Sequence, residues 1–291
     1  MTKIAFLGPE GTVSQESAQY FFNNESYEYI PYSFISDVYN ATVSGHTDVS
    51  VIPIENTIDG SVKLHVDQLV LGDLQIQAEW IYPSIQNLIG FKQPQENGLA
   101  EIEKIISIDV AIAQCRNFLQ AHLPEVKFEF VSSTAEGVRR VRELASPAVA
   151  AIGTKLAAKQ YGLELLASNI TDHQNNFTRF ILVGNSSPPL KVANKYKTTL
   201  LVTLPEDYPG ALHQVLSAFA WRRINLSKIE SRPTKLKLGT YYFYIDAEGS
   251  LDSVLMPAAI EEIEALGCQV RILGSYPSYN YETSDTAHME V

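Results

Sequence analysis

Apolar runs alternate with stretches of helical period from Lys3 to Gly184, the order expected when helices flank a sheet in an α/β domain. The runs predict strands at Ile4 to Leu7, Tyr27 to Tyr32, Val49 to Pro53, Lys104 to Ile108, Phe128 to Val131, Val149 to Ile152 and Phe180 to Val183. Ala111, Cys115, Phe118, Leu119 and Leu123 recur three or four apart, which predicts one helix over that span. Ser36, Ser133 or Thr134, and Thr154 stand where helix N-caps belong.

The pattern changes after Gly184. NSSPPLKVANKYK, residues 185–197, carries paired prolines and small polar residues and reads as a linker. Beyond it come a strand (Thr198 to Leu204), a helix (Gly210 to Arg222), two strands (Asn225 to Ser231 and Gly239 to Ala247), a helix (Ser253 to Leu266) and a strand (Gln269 to Ser275). That βαββαβ order is ferredoxin-like. Leu212, Val215, Leu216 and Phe219 form the apolar stripe of the first helix. Aromatics fall on both faces of the strand after Gly239, so both faces are expected to be covered, a second subunit being one candidate cover. The division expected is 1–184, linker 185–197, 198–277, and a disordered tail 278–291.

A chain of 291 residues fits two domains, and 45% hydrophobic with 19% charged residues fits globular cores. No apolar run reaches the ~20 residues of a membrane span. MTKIAFLGPEG is too short in apolar residues for a secretory signal, so a cytoplasmic location is expected. The net charge of −11 disfavours nucleic acid and anionic lipid as partners. Two cysteines, Cys115 and Cys268, and six histidines show no metal-ligand spacing, so neither a disulfide framework nor a metal site is expected.

Candidate chemistry sits in a few polar stretches. Gly8 to Thr12 follows a strand and precedes a helix, where main-chain amides meet anions, though it also reads as a plain turn. Pro53 to Thr57 ends a strand, where α/β sheets place ligand crevices, and by itself is equally a turn. Ser107 and Gln114 bracket a strand-to-helix junction, and a capping serine with a surface glutamine would look the same. Thr178, Arg179 and Phe180 open the last strand of the first domain, where the Arg179 fork suits a carboxylate or a surface ion pair.

In this order, LGPEGT, PIENT, S-x6-QC, STAEG, AAIG…YGL and NNFTRF resemble the catalytic domain of the prephenate dehydratase family. DYPGALHQVLSAFAWRRINLSKIESRP resembles the ACT regulatory domain that follows it there. The resemblance implies a two-lobed, periplasmic-binding-protein-like catalytic domain followed by a ferredoxin-like ACT domain. It implies a cofactor-free lyase converting prephenate to phenylpyruvate, inhibited by L-phenylalanine, in a homodimer or homotetramer. No chorismate mutase segment precedes LGPEGT, so a monofunctional enzyme is expected. An arogenate dehydratase and a non-catalytic sensor of small acids stay open as alternatives.

Carried over by motif, the catalytic residues are Thr178, Glu55, Asn56, Ser107 and Gln114, with Thr12, Thr57, Arg179 and Phe180 binding substrate. The effector motifs fall on Gly210, Ala211, Leu212 and His213 and on Glu230, Ser231, Arg232 and Pro233. Thr178 is the implied donor to the departing hydroxyl, with Arg179 and amides near Thr12 holding the pyruvyl carboxylate. Three departures from the family's habit stand out: Ile108, Asp109 and Val110 replace His-Pro-Gln after Ser107, Gln15 replaces a His, and Arg223 replaces a Gly.

Overall fold

The computed structural model describes residues 1–22, 26–92, 98–206, 208–233 and 241–281, and the chain falls into two compact units. One holds Met1–His65 and Ile81–Phe180, the other Val66–Trp80 and Ile181–Val291.

The first unit begins β1 (Thr2–Leu7), α1 (Val13–Phe22), β2 (Tyr27–Tyr32), α2 (Ile35–Val43), β3 (Val49–Asn56) and β4 (Gly60–Ser61). Helix α3 (Lys63–Leu71) and strand β5 (Gln75–Pro83) divide their residues between the units. Then follow β6 (Asn87–Gly90), β7 (Lys104–Ser107), α4 (Asp109–Ala113), α5 (Arg116–His122), β8 (Lys127–Phe130), α6 (Thr134–Leu144), β9 (Val149–Gly153), α7 (Lys155–Tyr161), β10 (Glu164–Ala167) and β11 (Phe177–Gly184). β1 lies parallel between β2 and β3, and β11 adjoins β3. Parallel strands deliver their carboxyl ends to one edge, which sets Gly8 to Thr12 beside the end of β3.

A second sheet in this unit runs β10-β6-β9-β7-β8. Its apolar strands are covered on both faces, which is why they read as continuous hydrophobic runs. Leu88, Ile105, Ala150 and Ile152 pack with Ala111, Cys115, Leu119 and Leu123. Their neighbours Ile89, Ile106, Val149 and Ala151 pack with Val138, Val141, Ala157 and Ala158. Gly137 lets α6 lie directly on β7: a Cβ there would meet the Ile106 carbonyl oxygen at 2.5 Å.

In the second unit, β12 (Lys195–Thr203), α8 (Ala211–Trp221), β13 (Leu226–Pro233), β14 (Tyr241–Glu248), α9 (Leu255–Ala265) and β15 (Gln269–Tyr279) form the expected βαββαβ fold with strand order β13-β14-β12-β15. Leu200, Val202, Ile245 and Ala247 pack under both helices. The opposite sheet face is covered in part by the chain's own residues 66–80. Arg232 bonds Asp67, Arg271 donates to the carbonyls of Leu69 and Val70 at 2.6 and 2.8 Å, and buried Glu79 pairs with Lys197 at 2.7 Å. Arg271 thus satisfies carbonyls at the C-terminal end of α3.

Several expectations are corrected. The helix expected from Ala111 to Leu123 is two, α4 and α5, broken at Gln114 and Cys115, although both halves pack on the same apolar cluster. Ser36 lies inside α2, whose N-cap is Phe34, whereas Ser133 and Thr154 cap α6 and α7 by accepting from Glu136 N and Ala157 N. Strands β5, β6 and β10 had no counterpart in the hydrophobic pattern, and β11 starts at Phe177. Strand β15 takes in Ser278 and Tyr279. The start of the predicted strand at Gly239 and the tail from 282 lie outside the described residues.

Candidate active site

Loops at the carboxyl ends of β1, β3 and β7 line a cleft of two connected chambers in the first unit. The larger, about 850 Å³, is lined by Thr12, Pro31, Ser133, Thr134, Glu136 and Arg139 among others. The smaller, about 280 Å³, includes Asn56, Asp59, Ser84, Gln114, Thr178 and Phe180.

Thr178 Oγ1 is the centre of the small chamber's hydrogen bonding. Asn56 Nδ2 donates to it at 2.9 Å, and Ser84 Oγ lies 2.7 Å away in a bond either hydroxyl can donate. The same Asn56 amide donates to Asn176 Oδ1 at 2.9 Å, while Asn56 Oδ1 accepts from the N–H groups of Ile58 and Asp59 and so fixes the turn after β3. Asn176 Nδ2 donates to Gln114 Oε1 at 3.0 Å, and Gln114 Nε2 donates to Asp59 at 3.3 Å. Thr57 ties that turn to β11, donating to the Asn175 carbonyl and accepting from Phe177 N. Buried amides satisfied in this way hold a single geometry.

Of the residues expected here, the fold brings together Asn56, Gln114, Thr178 and Phe180, with Thr57 bracing them and Thr12 in the adjoining chamber. Thr12 donates to the Leu7 carbonyl at 3.0 Å. Ser107 is fully buried, donates to the Ile152 carbonyl at 3.0 Å and is not among the residues lining either chamber. Glu55 and Arg179 pair at 3.7 Å. Alternation along β3 and β11 puts them on the sheet face opposite Asn56 and Thr178. Ser84, Gln86, Asn176 and Asp59 carried no signal in the sequence beyond belonging to polar turns.

The departures from the family's habit are accommodated. Ile108 and Val110 line the small chamber as apolar wall, and the shortened helix α4 still ends on Gln114. Gln15, 4% exposed, accepts from Gly11 N at 2.6 Å and from Gln160 Nε2 at 3.2 Å. It thereby holds the turn in which Gly11 sits at φ +86°, with Ala157 close enough to leave no room for a side chain. Arg223 occupies φ +54°, the left-handed region that a glycine enters without strain.

The electrostatics divide the chambers. The described residues lining the small chamber include no lysine or arginine, and Asp59 is their one carboxylate. At the large chamber, Ser132 donates twice to Glu136 and holds its carboxyl below the usual range, while Arg139 pairs with Glu143 at 2.5 Å. Cys115, next to Gln114, has its thiol pushed up to about 12 by burial and is no nucleophile. Among the described residues no cluster suited to a metal ion occurs.

The motifs of the second unit are also in place. Gly210, at φ +94°, starts α8 with Ala211, Leu212 and His213. On β13, Glu230 pairs with Lys228 and Arg232 at 3.6 and 3.5 Å, while Ser231 and Pro233 are exposed.

Residues 4–188 match the family model for "Prephenate dehydratase", and residues 198–267 match that for "ACT domain". The prephenate dehydratase of Bacillus subtilis is 42% identical over 284 residues, covering 95% of this chain and 99% of its own. A structure of prephenate dehydratase from Arthrobacter aurescens in complex with L-Phe superposes with a TM-score of 0.84 at 35% identity, covering 95% of this chain and 90% of that one. A quorum-quenching acylase, GqqA, superposes at 0.83 with 26% identity over 95% of this chain and 98% of its own.

Proposed function

Because the chain belongs to the prephenate dehydratase family, we propose that it converts prephenate to phenylpyruvate in its cleft, with Thr178 as donor to the departing hydroxyl. The hydrogen-bond geometry at Thr178 Oγ1 carries this reading. Asn56 donates to that oxygen, and where Ser84 donates as well, both lone pairs are occupied. The threonine proton then has no acceptor in the pair and is directed at the substrate's C4 oxygen.

The ring carboxylate leaves as carbon dioxide, its bonding electrons enter the ring, and the C4–O bond breaks as the oxygen takes up a proton and departs as water. Hydroxide is a poor leaving group, so a positioned donor is worth ~100- to 10,000-fold. A threonine hydroxyl is too weak an acid to supply the proton outright, so Thr178 acts by a directed hydrogen bond that strengthens as charge develops on oxygen. No step moves a hydride or an electron, so the proposal needs no redox cofactor.

Gln114 and Asn176 brace Asn56 in this scheme, and Thr57 fixes the turn. Glu55, Arg179 and Ser107 support the strands that present the donor instead of touching substrate. The pyruvyl arm reaches toward Thr12 and Ser14, which line the large chamber where α1 begins, the end of a helix that favours an anion.

L-phenylalanine is the proposed inhibitor, bound at the turn of Gly210 to His213 with Glu230 to Pro233 contributing, in a homodimer or homotetramer. The L-Phe complex of the Arthrobacter relative supports the ligand, and the exposed Trp221, Ile229 and Tyr241 support burial against a second copy. The two free, buried cysteines fit a reducing cytoplasm.

Purified protein given prephenate or arogenate, with phenylpyruvate and phenylalanine measured separately, tests the activity. Phenylpyruvate from prephenate is expected; turnover of arogenate alone, or of neither, overturns it. Calorimetry with L-phenylalanine tests regulation, and binding that leaves turnover unchanged would remove the inhibitory role.

A further inference from the structure

Helix α3 is nine residues long and is tied to two different strands. Just before it, Val62 N donates to the Ile54 carbonyl at 2.9 Å, and from its first turn His65 Nδ1 donates to the Pro53 carbonyl. Both acceptors belong to β3, and Pro53 and Val62 line the small chamber together with Asn56, the donor to Thr178. Two residues beyond His65, Asp67 accepts from Nε of Arg232 at 3.1 Å and also from its Nη2. Arg232 comes from the Glu-Ser-Arg-Pro stretch of β13, and its Nη1 faces Glu230 of the same stretch at 3.5 Å. The Asp67 and Arg232 side chains are only 18% and 13% exposed, so this is no solvated surface pair of negligible weight.

We infer that Asp67 couples effector occupancy to turnover, its pair with Arg232 being the joint through which β13 acts on α3 and α3 on the catalytic end of β3. The inference rests on the proposed binding of L-phenylalanine at Gly210 to His213 with Glu230 to Pro233. A ligand there that favours one placement of β13 over another also favours one placement of Arg232. The doubly bonded carboxylate passes that preference to α3, a helix that runs unbroken through His65 and Asp67. The start of that helix is tied to Ile54 and Pro53, two and three residues before Asn56. Because misplacing a reacting group by about 1 Å can cost ~100-fold in rate, a small shift of Asn56 against Thr178 is sufficient for inhibition.

The test compares wild type with Asp67→Ala, which removes the carboxylate while keeping a strong helix former, and with Asp67→Glu, which keeps the charge. The quantity read is the ratio of prephenate turnover without L-phenylalanine to turnover at saturation, beside the calorimetric Kd for L-phenylalanine. In Asp67→Ala that ratio should fall ~5-fold or more, with Kd and the uninhibited kcat and KM each within ~3-fold of wild type, and Asp67→Glu should restore part of the inhibition. A purely structural contact would lower the melting temperature without separating binding from inhibition. Asp67→Ala inhibited as strongly as wild type, or unable to bind L-phenylalanine, overturns the coupling. Hydrogen exchange on wild type needs neither a variant nor turnover: saturating L-phenylalanine should change the protection of the Val62 amide and of amides 66–71 by ~5-fold or more. Unchanged protection there overturns the coupling even where Asp67→Ala does not fold or prephenate is not the substrate. Wild type that binds no L-phenylalanine sinks the regulatory reading itself, whereas equal inhibition of wild type and Asp67→Ala sinks the coupling alone.

Discussion

The two faces of β3 and β11 carry opposite chemistry within two residues of each other. One face presents Asn56 and Thr178, neutral groups joined to each other at 2.9 Å and bonded on to Asn176 and Ser84; the other presents Glu55 and Arg179, a charged pair 3.7 Å apart. Strand alternation alone makes the division. On the proposed reading, a motif such as Glu-Asn or Thr-Arg divides between the two faces, one residue toward the chamber and the other toward the scaffold. Activity and stability should therefore separate when the two faces are altered one at a time.

The largest expected effect is on the neutral face. Thr178→Ala should lower kcat ~100- to 10,000-fold with little change in melting temperature, and Thr178→Ser should recover part of it. Comparable turnover by wild type and Thr178→Ala in a phenylpyruvate assay would remove the donor role and with it the contrast between faces. On the charged face, Arg179→Met should cost stability by ~1–3 kcal/mol in urea unfolding, with kcat within ~3-fold of wild type. A kcat collapse in a folded Arg179→Met would show that both faces serve the chemistry.

Protons sharpen the comparison further. Buried His65 bonds the Pro53 carbonyl through Nδ1, and burial lowers its pKa from 6.5 to about 4. The unfolded chain takes up a proton there below about pH 6.5, while the folded chain refuses it until about pH 4. Stability should fall as pH drops through that window, by roughly 3 kcal/mol in all, and level off below it. His65→Gln should show a shallower decline than wild type in urea midpoints measured from pH 7 to 4; parallel curves would exclude His65 as the cause. The smallest effect belongs to the second unit. Arg223→Gly should relieve the left-handed backbone at φ +54° and raise stability by ~0.5–1 kcal/mol with turnover unchanged. A lower melting temperature would mean that the Arg223 side chain contributes more than its backbone costs.

The βαββαβ part of the second unit was legible almost strand for strand, because its first helix shows a clean apolar stripe and its strands are bounded by turn residues. Thr178, Asn56 and Gln114 were legible too, through the order of their motifs. Ser84 and Gln86 were not. They sit in the turn after β5, and β5 itself hides because Glu79, a buried charge, interrupts its apolar pattern; its partner Lys197 lies far along the chain. Ser107 illustrates the reverse: a motif residue whose hydroxyl the fold spends on the Ile152 carbonyl. The break between α4 and α5 escaped notice because the apolar stripe continues through it onto one cluster. Residue type shows that a polar side chain needs a partner, but only the folded chain shows which partner it has.

The interleaving of the two units bears on how the gene can be cut. A fragment ending at the linker after Gly184 would keep Asp67, Glu79 and the carbonyls of Leu69 and Val70 but lose Arg232, Lys197, Ser278 and Arg271, which satisfy them. Glu79, at 1% exposure, would lose the Lys197 cation that faces it at 2.7 Å. The regulatory module is thus no detachable appendage: recombination or proteolysis at the proline-rich junction yields a catalytic piece with an open wound, and viable fusions or swaps must carry residues 66–80 along with the ACT sequence.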